Sequence, residues 1–200
     1  MRSVPFRREG VHGREPGFRM QTVVPKSVEK LLQNVTVLVI DDNAFMRKLV
    51  RNILTNIGVK TTLEAADGLS GLESIRMFAP DLVVLDWEMP MLNGAELVRI
   101  VRSPGVFPQP DVPIIMLTGH VERWRIVEAS RLGVHEFLRK PVSGRALLER
   151  IVSILLRPRP MVRLGDYYGP EPRRTTPDAT IDFAKLHRAA MIKAKRPTAV

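Results

Sequence analysis

From residue 35 onward, short apolar runs alternate with stretches whose apolar residues recur at helical spacing, and this pattern constrains the chain more than any other feature. A strand buried on both faces reads as a nearly continuous apolar run, whereas a strand with one wet face alternates. Residues 35–40 (Val-Thr-Val-Leu-Val-Ile) are of the first kind, and 82–85 and 114–117 resemble them. Further short strands are expected at 61–65 and 136–138. Strands that take turns with helices point to an α/β fold, a parallel sheet covered by helices on both faces.

Asn43 is placed to cap the first helix of this series. Met46, Leu49, Val50, Ile53 and Ile57 then recur at helical spacing, and Gly58 occupies a plausible C′ position. Leu69, Leu72, Ile75 and Phe78 mark a second helix, stopped by Pro80. Further helices are expected at 94–102, at 121–132 and after Ser143, where Leu147, Ile151, Ile154 and Leu155 form one stripe that Pro158 and Pro160 end. Five strand–helix units result. Residues 103–111 contain Pro104, Pro108 and Pro110, too many prolines for a regular element, and read as an exposed loop.

The chain has 200 residues, enough for one domain of ordinary size with extensions. Its net charge of +10 is uneven: +4 over residues 1–34, +1 over 35–158 and +5 over 159–200. A near-neutral middle between basic flanks predicts a domain at 35–156, a basic, flexible extension at 1–34 and a Pro/Arg-rich tail at 157–200. Residues 157–177 hold five prolines and five arginines, so they are expected to be extended or disordered; a short helix is expected at 181–194. Met20 is an alternative start. The chain has no cysteine, which excludes disulfides and thiolate chemistry. No stretch approaches the roughly 18 apolar residues of a membrane span, and a cytoplasmic location is expected.

In a parallel sheet, ligands bind where the carboxyl ends of the strands gather. The first strand ends in Asp41 and Asp42, the third in Asp86 and the fourth in Thr118, while Lys140 follows the fifth. Three crowded carboxylates repel one another, and a hard divalent cation such as Mg²⁺ relieves the repulsion. Lys140 is suited to pair with Asp86 or with an arriving phosphoryl oxygen, and Thr118 offers a hydroxyl donor. A carboxylate can attack phosphorus to give an acyl phosphate. The constellation therefore reads as phosphoryl transfer onto Asp86.

These residues resemble the receiver domain of two-component response regulators. The motifs that carry the resemblance are Val-Leu-Val-Ile-Asp41-Asp42-Asn43, Asp81-Leu-Val-Val-Leu-Asp86-Trp-Glu-Met89-Pro90 with Asn93-Gly94, Ile-Met-Leu-Thr118-Gly119, and Phe137-Leu-Arg-Lys140-Pro141. The resemblance implies a flavodoxin-like, doubly wound sheet in the order 2-1-3-4-5 with five helices. It further implies Asp86 as phosphoacceptor and member of the Mg²⁺ site, with Asp42 a direct ligand, Asp41 acting largely through water and the main-chain carbonyl of Glu88 completing the protein's share. Phe137 is implied as a rotating switch aromatic, and the Lys140 to Pro141 bond as cis. Glu88 and His120 occupy positions that vary in the family and influence phosphoryl lifetime.

The implied partners are a histidine kinase or histidine phosphotransferase and an unidentified downstream protein, with a monomer or a phosphorylation-dependent dimer as the working state. The 44 residues after Leu156 hold no helix-turn-helix pattern, so a stand-alone receiver acting by protein–protein contact is expected. A second reading is nucleic-acid binding through the basic flanks, including Arg173, Arg174, Lys193, Lys195 and Arg196; those flanks offer phosphate contacts but no element to read bases. An aspartate-based phosphatase with Glu88 as its second acid fits less well, because Asp41, Asp42 and Thr118 match the receiver. Self-catalysed phosphotransfer and autodephosphorylation at Asp86 are the chemistry expected, rather than that of an enzyme. Tyr167 and Tyr168, the only tyrosines, are candidate contact residues of the tail.

Overall fold

A computed structural model describes residues 26–119, 128 and 131–172. Its elements run α1 (Lys26–Leu32), β1 (Thr36–Ile40), α2 (Ala44–Asn56), β2 (Thr61–Ala65), α3 (Gly68–Phe78), β3 (Leu82–Asp86) and α4 (Gly94–Val101). There follow β4 (Ile114–Thr118), β5 (Glu136–Arg139), α5 (Gly144–Leu156), β6 (Met161–Leu164) and β7 (Tyr167–Pro170). Strands β1 to β5 form one parallel sheet in the order β2-β1-β3-β4-β5, the doubly wound flavodoxin-like order.

Successive strand residues point to opposite faces, so the continuous apolar runs feed two cores. Val37, Val39, Leu82, Val84, Ile115 and Leu117 pack with Leu54 of α2 and Leu147 and Ile151 of α5. Leu38, Ile40, Val83, Leu85, Ile114 and Met116 pack with Ile75 of α3 and Leu97 and Val98 of α4. All five residues of β3 and of β4 are buried. Each such aliphatic side chain contributes about 1.5–3 kcal/mol, which makes these central strands the anchors of whatever stands at their ends.

Local signals set the helix ends. The Asn43 side chain accepts hydrogen bonds from the N–H groups of Phe45 and Met46, and Ser143 accepts one from Ala146. Asn93 and Glu96 form a capping box at the start of α4. Gly58, at φ +107°, follows the end of α2 as expected.

Two segments expected to lack structure have it. Within 26–34, α1 puts Val28 and Leu32 into the first core at 1% and 0% exposure. Within 157–177, β6 and β7 pair antiparallel, with Met161 opposite Pro170 and Leu164 opposite Tyr167. Gly165 takes φ +58° in the tight turn between them. The composition argument fails here because the hairpin needs no core of its own. Gly169 packs on Gly133 so closely that a Cβ added at Gly169 would stand 2.5 Å from the Gly133 Cα. Arg159 donates to the His135 carbonyl, and the Tyr168 hydroxyl donates to the Asp111 carboxylate. Phe107, in the proline-rich loop expected to be exposed, is likewise buried. The expected helix at 121–132 lies mostly outside the described residues, as do Met20, His120 and the expected helix at 181–194.

Candidate functional site

The carboxyl ends of β1, β3, β4 and β5 bring Asp41, Asp42, Asp86, Thr118 and Lys140 to one edge of the sheet. Each of the three aspartates offers a carboxylate oxygen, and these oxygens all lie within 4.8 Å of one another. Asp41 and Asp86 are buried at 1% and 4% exposure, whereas Asp42 is exposed. The Lys140 Nζ sits 2.9 Å from Oδ2 of Asp41 and 2.9 Å from Oδ2 of Asp86. One ammonium therefore faces a trio of carboxylates.

Backbone contacts hold this arrangement. The Lys140 N–H donates to the Thr118 carbonyl at 2.7 Å, which ties the end of β5 to the end of β4, and the Lys140–Pro141 bond is cis. The Trp87 N–H donates to Leu117, extending the β3–β4 pairing past Asp86. The Gly94 N–H donates to the Trp87 carbonyl, and a Cβ at Gly94 would stand 2.3 Å from the Asp86 carbonyl oxygen. Only a glycine lets the start of α4 approach the acid this closely.

Burial pushes the Asp86 carboxyl above the usual carboxylate range; the hydrogen bond from Lys140 opposes this and the nearby Asp41 adds to it. For Lys140, burial lowers the pKa, but the pairing with Asp86 and Asp41 outweighs it and the net displacement is upward. The lysine stays charged while Asp86 remains short of compensating positive charge. Clustered hard oxygens of this kind suit a hard divalent cation that keeps part of its water shell, so the donor set fits Mg²⁺.

Glu88 is exposed and lines an open cleft with Asp42, Trp87, Met89, Pro90 and Asn93. The Thr118 side chain is fully buried at the end of β4. Phe137 is half-buried and meets Trp87 edge to face, with ring centroids 6.4 Å apart. Tyr167 and Tyr168 are not at this edge: the Tyr167 hydroxyl donates to Pro170 within the hairpin, and Tyr168 reaches Asp111 ahead of β4. Sequence reasoning passed over Arg47, whose guanidinium donates to the carbonyls of Asp41 and Asp42. Its signal was a cation near the start of a helix that has no acid in its first turn.

Comparison with known proteins gives the same family as the site. The family model for the response regulator receiver domain matches residues 37–152. The chain is 34% identical over 127 residues to chemotaxis protein CheY-3 of Vibrio cholerae, covering 64% of this chain and 96% of that protein. It is 34% identical over 121 residues to chemotaxis protein CheY of Pseudomonas aeruginosa, covering 60% and 96%. The solved structure of V. cholerae CheY4 superimposes with a TM-score of 0.55 at 29% identity, over 60% of this chain and 98% of that one. A response regulator receiver domain protein from Clostridium thermocellum gives 0.56 at 29% identity, over 62% and 95%. This chain belongs to the response regulator receiver domain family.

Proposed function

We propose that Asp86 accepts a phosphoryl group from a histidine kinase or histidine phosphotransferase of a two-component or phosphorelay system. A single observation carries this reading: a buried strand-end aspartate 2.9 Å from a lysine ammonium, with two further carboxylates within 4.8 Å. An Asp86 carboxylate oxygen attacks phosphorus, the bond from phosphorus to the donor nitrogen breaks, and an acyl phosphate results. Asp42, Asp86 and the Glu88 main-chain carbonyl would hold Mg²⁺, with Asp41 acting largely through water, and the ion would supply positive charge to offset that on the transferring oxygens. Lys140 takes one phosphoryl oxygen and the Thr118 hydroxyl another. Glu88 and His120 tune how long the acyl phosphate lasts.

Output follows through protein–protein contact. Thr118 moves toward the phosphoryl group, and Phe137 turns into the space vacated; its contact with Trp87, the neighbour of Asp86, supports that coupling. A shift from 1 to 99% active needs about 5.5 kcal/mol of differential stabilisation, so a downstream partner completes the change. The nucleic-acid reading rests on the basic flanks, of which Arg173, Arg174, Lys193, Lys195 and Arg196 lie outside the described residues, and it gains no support from the site.

The test is phosphorylation of the full chain by acetyl phosphate with Mg²⁺, followed by intact mass. Wild-type protein takes up one phosphoryl group, Asp86→Asn takes up none, and Asp42→Ala loses more than tenfold in rate. Normal uptake by Asp86→Asn would overturn the assignment.

A further inference from the structure

We propose that Arg47 is a positioning residue for metal binding, holding the loop between β1 and α2 by its two aspartate carbonyls so that the Asp41 and Asp42 carboxylates stay grouped with Asp86. This rests on the reading of the acidic edge as a Mg²⁺ site.

The position of Arg47 is unusual on electrostatic grounds. It is the fourth residue of α2, near the positive end of the helix dipole, and α2 carries no acid in its first turn to offset it. Helix electrostatics leaves a cation at this position unexplained, which is where a functional reason is expected. Its side chain is 17% exposed rather than solvated. The guanidinium Nη1 donates to the Asp41 carbonyl at 2.8 Å and to the Asp42 carbonyl at 3.2 Å. On its other side, Nε lies 3.6 Å from Oε2 of Glu64 on β2, and the second oxygen of Glu64 pairs with Arg51 at 3.0 Å. Arg47 thus links the loop to β2, with Glu64 beside its Nε.

The two aspartates depend on this tie to different degrees. The Asp41 carboxylate is also held directly, by the Asn43 N–H at 2.9 Å and by Lys140 at 2.9 Å. Asp42 is exposed, and the contact from Arg47 fixes its main chain. Both carbonyl contacts come from Nη1 while Nε faces Glu64, and a lysine, with one nitrogen, keeps the charge but does not reach both sides at once.

Charge and positioning predict opposite signs. Removing a cation from beside a divalent ion tightens binding by Coulomb's law, whereas releasing the loop weakens it. Mg²⁺ titrations by calorimetry on the full chain, at fixed ionic strength and without phosphodonor, compare wild type with Arg47→Lys, Arg47→Met and Asp42→Ala. Loss of an outer partner of a metal ligand costs about tenfold in affinity, and that weakening is expected for Arg47→Met. Arg47→Lys is expected to weaken binding as well, with the charge retained, while thermal melting in chelator stays close to wild type. If Arg47→Met does not fold, Arg47→Lys carries the test alone. Binding by the folded Arg47 variants as tight as wild type, or tighter, overturns the proposal. If wild-type protein shows no Mg²⁺ binding that Asp42→Ala removes, the reading of the metal site falls first and this proposal with it.

Discussion

Each edge of the parallel sheet holds a cation, half-buried Lys140 at one and buried Arg102 at the other, and the two are satisfied in different ways. At the carboxyl edge, Lys140 meets the charged carboxylates of Asp41 and Asp86, with Asp42 beside them. At the amino edge, Arg102 is 6% exposed and meets neutral acceptors. Its Nε donates to the Gly133 carbonyl at 2.9 Å and its Nη2 to the Val112 carbonyl at 2.8 Å, while Nη1 donates to Pro110. Burial pushes Arg102 down to about 10, which still leaves it charged. His135 beside it is pushed down to about 3, by burial first and then by Arg102 and Arg159. Its ring is therefore neutral near pH 7, with Nδ1 3.4 Å from the Ile114 N–H. The β6–β7 hairpin closes over this edge, whereas an open cleft adjoins the acidic one. Burial of charge does not by itself mark a site for ligand. A buried cation hydrogen-bonded to main-chain carbonyls, with a single carboxylate, Asp111, acting on it, is architecture; an excess of one sign beside an open cleft is a place for a partner.

Breaking each edge in turn sharpens that contrast. Arg102→Met leaves several buried carbonyls without their donor and is expected to cost about 3 kcal/mol in denaturant unfolding, with no recovery on adding Mg²⁺. Ending the chain after Arg157 removes the contacts of Arg159, Tyr168 and Gly169 and is expected to cost about 2 kcal/mol. An unchanged unfolding midpoint would show that the hairpin adds nothing to the fold.

The titration of His135 gives a pH test. Its folded pKa lies below its unfolded value of 6.5, so its contribution is fully present above about pH 6.5 and is lost as pH falls toward 3. The expected slope from this group is about 1.4 kcal/mol per pH unit in that window. His135→Asn, which keeps an acceptor for Ile114, should remove that component of the slope in urea titrations at several pH values. The smallest effect is expected at the acidic edge: Lys140→Met should cost about 1 kcal/mol in chelator, and Mg²⁺ should restore it.

The sequence made much of the sheet legible because β1, β3 and β4 are central strands buried on both faces. Residues 61–65 match β2 in full, while β3 and β4 each run one residue further than expected, to Asp86 and Thr118. The grouping of Asp41, Asp42, Asp86 and Lys140 was legible for the same reason: a parallel sheet carries strand ends to one edge whatever the loops do. The hairpin was not legible, since its packing surface comes from Gly133 and Asp111, distant in sequence. Helix α1 presents only Val28 and Leu32 as fully buried residues, too few to set a period. Arg47 and Arg102 read alike in sequence, as cations of amphipathic helices; only their carbonyl acceptors set them apart from solvated ones.

The contrast between the two edges is tested most directly by mapping backbone amide shifts in NMR as Mg²⁺ and then beryllofluoride are added to the full chain. The expected result is that the largest changes fall on Asp41, Asp42, Asp86, Thr118 and Lys140, with Gly133, His135 and Tyr168 close to their starting positions. Saturating additions that leave Asp86 and its neighbours unmoved, or that shift the amino edge most, would contradict the account.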